Sequence, residues 1–277
     1  MNKEKLRKII KKTTRALMWT TGIFVVLLIA LYFAFRSPAC QTWISQKAAN
    51  YLSDELGTHV SIEGVNIQFV SSVVLEGIYV QDLHGDTLLH APALTVAISN
   101  FSYENKYMSV DEVKITDATI KLKKYKGVRG LNFKFIADYF ESSDTTAKPK
   151  NPSPWKVDMG ALVLDNVRFC FIDTRWDDVD RGVDYENIQV NNIFATFDRI
   201  EPGVDSTTLM LEHLAAREMS GFEVTDMRSR LVVADTFVKF NDLTIKTPGS
   251  DVKGFIGFHF HTFEDIEDDF IHRVRME

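Results

Sequence analysis

The residues best equipped for chemistry lie near the end of the chain. His259 and His261 stand two apart in a strand-like run, so they share a face, and His272 follows. Glu264, Asp265, Glu267, Asp268 and Asp269 lie between them. Imidazoles and carboxylates in such a mixture can ligate a divalent metal. The spacing is a weak ligand signature, and a polar strand face followed by a solvated acidic turn accounts for the same residues. Asp178-x-Asp180-x-Gly182 resembles the start of a calcium loop, but the ligand order and closing glutamate of an EF-hand are absent. The chain has no phosphate loop, GxSxG elbow, HExxH or CxxC. Cys40 and Cys170 are far apart and read as free thiols. The expectation is a protein that is not an enzyme and uses no metal or cofactor.

The charge distribution points to a membrane instead. Residues 1–15 hold seven bases (Lys3, Lys5, Arg7, Lys8, Lys11, Lys12, Arg15) and one acid, Glu4. Of the 32 Lys/Arg and 38 Asp/Glu in the chain, 25 and 37 remain beyond that tip. An acidic body is repelled by phosphates, which argues against a nucleic-acid partner. A basic tip is attracted to an anionic lipid surface. Ala16 to Phe35 then runs for 20 residues without a charge. At about 1.5 Å per residue it spans roughly 30 Å, the thickness of a bilayer's hydrocarbon core. Trp19 and Tyr32 suit the two interfaces. The bases ahead of the run place residues 1–15 in the cytoplasm and the rest across the inner membrane. A cleaved signal peptide is the alternative, with Ser37-Pro38-Ala39 as a site; the apolar run is long for one, and Arg36 follows it directly.

The elements beyond the span separate by period. Trp43, Ile44, Ala48, Tyr51, Leu52 and Leu56 have helical spacing, read as one face of a short amphipathic helix stopped by Gly57. That helix either lies on the bilayer or plugs the end of the domain that follows. From Thr58 the period becomes two. Residues 62–67 (IEGVNI) align with 75–80 (LEGIYV), an offset of 13 residues. Residues 113–122 (VKITDATIKL) share a cadence with 162–171 (LVLDNVRFCF): apolar, x, apolar, two polar, apolar, x, apolar, x, apolar. Strands recurring every 8–13 residues predict a mostly β fold, an elongated antiparallel repeating sheet. Two interruptions appear: a helical pattern over Gly130 to Ser142, and the polar stretch Glu141 to Pro154, read as a flexible loop. The organisation is a cytoplasmic tip 1–15, a span 16–35, a first periplasmic segment 38–140, a loop 141–154 and a second β segment 155–277. Asp173 to Asp184 reads as an exposed hairpin loop.

In order and pattern, these parts resemble the N-terminus of AsmA-like proteins, and within them the TamB (translocation and assembly module) branch of Bacteroidetes-type bacteria. The matching pieces are Gly57 to Val65, Leu75 to Leu89 with its Asp-x-x-Gly-Asp turn, and the unit at 162–169. The resemblance implies a β-groove with an apolar interior in the periplasm. It implies phospholipid transport between inner and outer membranes, or assistance to outer-membrane protein assembly through an outer-membrane component. It also implies that the sheet continues beyond Glu277.

Alternation assigns the inward positions: Ile62, Val65, Leu75, Ile78, Val80, Leu94, Val96, Ile98, Val113, Ile115, Ile120, Leu164, Phe169 and Phe171. Lys114, Lys121 and Arg168 point the other way. If the apolar face is uncovered, acyl chains are its partners. If a second layer covers it, the chain is a periplasmic scaffold with an ordinary core. Periodicity alone does not separate the two.

Overall fold

The computed structural model describes Val26 and residues 37–68, 71–128, 130–145, 156–176, 184–203, 205–262 and 274–277. The apolar run 16–35, apart from Val26, lies outside them. So do the candidate calcium loop, His272 and the acids from Glu264 to Asp269. Among the described residues no helix is long and apolar enough to cross a membrane.

Helix α1 (Pro38–Leu56) opens as helix physics dictates. The Ser37 hydroxyl accepts from the Cys40 amide at 3.2 Å, Pro38 supplies a pre-set φ, and Gly57 closes the end at φ 66°. Its apolar residues do not form one face. Leu52 and Leu56 pack inward with Ala49, whereas Trp43 is 60% and Tyr51 58% exposed. At 100° per residue Trp43 and Leu52 point about 180° apart, so a list of helical spacings had merged two stripes.

Strands β1 (Val60–Ser61), β2 (Gly64–Gln68), β3 (Ser72–Gln81), β4 (Thr87–Ser102), β5 (Tyr107–Thr116) and β6 (Thr119–Lys124) precede helix α2 (Lys134–Thr145). Then come β7 (Lys156–Asp173), β8 (Asn187–Pro202), β9 (Thr207–Glu218), β10 (Glu223–Val224), β11 (Asp226–Ala234), β12 (Phe237–Thr247), β13 (Ser250–His259) and β14 (Arg275–Met276). Helix α2 reaches Thr145, so the polar stretch that begins at Glu141 is helical in its first residues.

All 14 strands belong to one sheet, in the order β1-β3-β4-β5-β7-β8-β9-β11-β12-β13-β14. The sheet therefore runs unbroken through both segments. It is mixed rather than purely antiparallel, because β5 and β6 both pair parallel with β7. A parallel neighbour needs a long crossover, and residues 125–155 with α2 supply it. Alternation reads alike in parallel and antiparallel strands, so the sequence pattern could not show this reversal.

The strands are long, and left-handed residues at one level keep their apolar residues in step. Gly77, Asp117, Asn166 and Asn192 all have positive φ, between 51° and 61°. Each sits at the second polar position of an apolar–polar–polar–apolar step: Leu75 to Ile78, Ile115 to Ala118, Leu164 to Val167, Val190 to Ile193. A left-handed residue there shifts the alternation by one, and neighbouring strands shift at the same level with their pairing offset unchanged, Gly77 opposite Pro92 and Asp117 opposite Asn166, so the apolar side chains on both sides stay on one face. Asn and Asp tolerate this conformation better than other residues with a side chain. This level is stitched sideways: Asn166 Nδ2 donates to Asp117 Oδ1 at 2.6 Å, and Asn192 Nδ2 to Asn166 Oδ1 at 3.2 Å. Pro92 falls on the same line in β4, between the stretches that pair with β5 and β6, where its missing N–H breaks no ladder bond.

Two backbones also approach closely within the parallel pair. Gly160 in β7 lies beside Asp111 in β5, and a Cβ there would stand 2.5 Å from the Asp111 carbonyl oxygen. Gly160→Val is therefore expected to push β5 and β7 apart at the crossover. The expected loss is about 1–3 kcal/mol, read as a lower urea midpoint with an unchanged slope.

Candidate functional site

The candidate site is the apolar face, and the register shows how it is assembled. Directly opposed residues share a face. Val65, Leu75, Leu94, Ile115 and Leu164 form one row across β2, β3, β4, β5 and β7, continued by Ala195 in β8. Val96 and Val113 form the next row, between Val73 and Leu162. Beyond the level of the left-handed residues, Val80, Leu89, Ile120, Phe169 and Val190 make a third. Phe171 stands between Leu122 and Ile188, Ile78 opposite Ala91, and Ile98 opposite Val110. Ile62 lies in the break between β1 and β2. Lys114 faces the other way and pairs with Asp165 at 2.6 Å, and Arg168 donates to Gln189 at 2.9 Å on an exposed surface.

Burial is uneven along this face. One end is a packed core: Val60, Ile78, Val80, Leu88, Ala91, Ala118 and Val167 are buried together. Leu52 and Leu56 of α1, and Phe133, Phe135 and Ile136 at the start of α2, pack against it. Of the fourteen inward positions read from sequence, only Val65, Ile78 and Val80 are buried; the others are half-buried. Val96, Ile98, Val113, Phe169 and Phe171 lie outside the helix-packed cluster. At the far end Phe101, Met108 and Val157 are adjacent by register, and Phe101 is 61% exposed. Among the described residues, no second sheet lies over this face. In β9, β11 and β12 the residues Leu211, Leu231 and Leu243 are buried, so the face is more closely packed there.

No family model matches the chain, and no curated protein matches it.

The covered end is locked by a buried polar pin, of which the sequence pattern shows only the turn. In the Asp82-Leu-His-Gly-Asp86 turn, Asp82 is 1% exposed. Its Oδ2 accepts from Tyr125 Oη at 2.7 Å and Asn132 Nδ2 at 2.9 Å; its Oδ1 accepts from the His84 and Asp86 amides. Asp86 Oδ2 accepts from Lys123 Nζ at 2.8 Å and contacts Tyr125 Oη at 2.6 Å. Thr58, just past α1, donates to the Gln81 and Asp82 carbonyls. The pin thus joins α1, the β3–β4 turn, β6 and the segment leading into α2. Lys124, 1% exposed, and Asp173, held by Arg175 at 2.6 Å, extend the polar layer.

Burial disfavours the Asp82 charge, but the hydrogen bonds from Asn132, Tyr125 and the two amides outweigh it and hold the carboxyl below its ordinary range. Burial, together with the hydrogen bonds to Asp86 and Asp82, pushes the Tyr125 phenol upward. A depressed carboxyl stabilises the fold fully above its unfolded value near 3.8 and loses that contribution as pH falls toward its folded value. Asn132→Ala removes one donor from a buried anion, so it is expected to cost about 1–3 kcal/mol. It should also move the acid-unfolding midpoint to higher pH, measured by circular dichroism.

Among the described residues, no group of three or more His, Cys, Asp or Glu could hold a metal ion. His259 Nε2 meets Glu277 Oε2 at 3.1 Å. Both described cysteines are free.

Proposed function

We propose that this chain is a membrane-anchored periplasmic β-groove protein of the AsmA-like kind, in the TamB branch, whose apolar face carries phospholipid acyl chains between the inner and outer membranes. The observation that carries this reading is one sheet with a continuous apolar face that the described helices cover at one end, and on which Val96, Ile98, Val113, Phe169 and Phe171 stay half-buried beyond it. An apolar face of this extent that is only partly covered calls for an apolar partner. Acyl chains suit it because they adapt to a long row of Val, Leu, Ile and Phe without needing hydrogen bonds. The basic tip ahead of an uncharged run supports a position of that face outside the cytoplasm.

The test is photo-crosslinking in cells. Crosslinkers at Leu94, Val113 and Phe169 should yield lipid adducts by mass spectrometry, while those at Lys114, Lys121 and Arg168 should not. Adducts to protein alone at every inward position would favour a scaffold whose apolar face is covered by another polypeptide.

A further inference from the structure

Helix α1 has two working faces. Its inner face, with Leu52 and Leu56, covers the capped end of the sheet. Its outer face carries Trp43, Lys47, Asn50, Tyr51 and Asp54, all exposed. Trp43, Lys47 and Tyr51 follow one another at four-residue steps and fall within about 80° around the axis. Tyr51 hydrogen-bonds Tyr139 of α2 at the edge of this stripe, but the exposed ring of Trp43 is unexplained by packing and shares the stripe with Lys47.

We propose that this stripe seats in the headgroup layer of the membrane that anchors the chain, so that α1 holds the capped end of the sheet against the bilayer. The occupant is set by the chain itself. The uncharged run ends at Phe35 and α1 begins at Pro38, with only Arg36 and Ser37 between. So short a link leaves the first turns of α1 at the level of the headgroups. Trp and Tyr favour that layer because each offers an apolar ring and a polar atom. Lys47 meets the phosphates, and its aliphatic stem lies along the apolar boundary. The stripe also sets the tilt. Trp43 is near the link, while Asp54 and Glu55, about 16–18 Å further along, are repelled by anionic lipid. Trp43 therefore sits deepest and the acidic end leans outward. The inner face of the same helix then places the apolar rows next to the membrane.

This rests on reading residues 16–35 as a membrane span, and the experiment separates the two. The full-length chain, with Cys40→Ser, is reconstituted in vesicles of phosphatidylethanolamine and phosphatidylglycerol. Nitroxide labels are placed one at a time on cysteines at positions 43, 47, 51, 54 and 252. Position 47 keeps Trp43 intact, so its reading does not depend on losing that ring. Collisions with membrane-dissolved oxygen are compared with collisions with an aqueous nickel chelate. Oxygen should dominate at 43 and 47, weaken at 51 and give way to nickel at 54. Val252, an exposed residue of β13, should read as aqueous. Vesicle flotation reports the span independently. A chain that floats while position 43 reads like 252 overturns the docking of α1 and leaves the span standing. A chain that does not float overturns both.

Discussion

Val167→Asp is expected to remove the protein from the cell. Val167 is 1% exposed at the centre of the cluster formed by Ile78, Ala91 and Ala118, against which Leu52, Leu56, Phe133, Phe135 and Ile136 also pack. Its Cβ position is followed on the opposite face by Arg168, so a modest rotation does not carry an introduced carboxylate to water. The residues packed in that cluster are all apolar and offer a carboxylate no side-chain hydrogen bond, and the neighbouring Asp117, Asn166 and Asn192 side chains bond one another. A carboxylate forced into that cluster must be desolvated without a partner or protonated, and either costs several kcal/mol. A domain of ordinary stability holds only about 5–15 kcal/mol in reserve. Immunoblotting should show a much lower steady-state level, and limited proteolysis should cut the residue that remains. Val167→Ile at the same position should lose far less, because added volume strains a core but leaves no buried charge. Normal abundance of the aspartate variant would mean that the capped end is not a packed core.

The sequence carried more of this fold than its low local specificity suggests, and the reason is physical. The shared cadence of 113–122 and 162–171 is the trace of a phase reset that paired strands make together: two polar residues in succession mark the place where Asp117 and Asn166 take positive φ. That is why ten of the fourteen inward positions fall into three long rows that cross from strand to strand. What depends on a third dimension was not legible. Parallel pairing of β5 and β6 with β7 leaves no mark on alternation. The exposure of Trp43 and Tyr51 follows from their angle to Leu52, which a list of spacings hides. Phe133, Phe135 and Ile136 announce a helix but not the cluster it covers. Asp82 reads as a turn residue until Asn132, fifty positions away, is seen to donate to it. Lys124 extends an alternating strand, and only the fold shows that it is buried.

Val113→Asp is expected to give the opposite phenotype from Val167→Asp, although both positions lie on the same face. Val113 is half-buried, sits between Val96 and Leu162 by register, and lies outside the helix-packed cluster. No helix of the described residues rests on it, so a carboxylate there can keep part of its hydration, and the expected loss of stability is within about 1–2 kcal/mol. The variant should accumulate to a normal level and resist protease like the unaltered chain. Its effect should fall on function. Any acyl chain moving along the rows must pass a fixed charge, and bringing that charge against lipid tails requires stripping its water. Outer-membrane integrity, read as sensitivity to a large hydrophobic antibiotic that an intact outer membrane excludes, should fail as it does when the protein is deleted. Val113→Ile keeps the face apolar and should restore it. Lys114→Asp, one residue along on the far face beside Asp165, should leave integrity intact despite introducing a charge of the same sign. If Val113→Asp instead vanishes with Val167→Asp, the face is packed along its length and the conduit reading fails for this part of the sheet. If it accumulates and cells remain intact, acyl chains do not travel past this row.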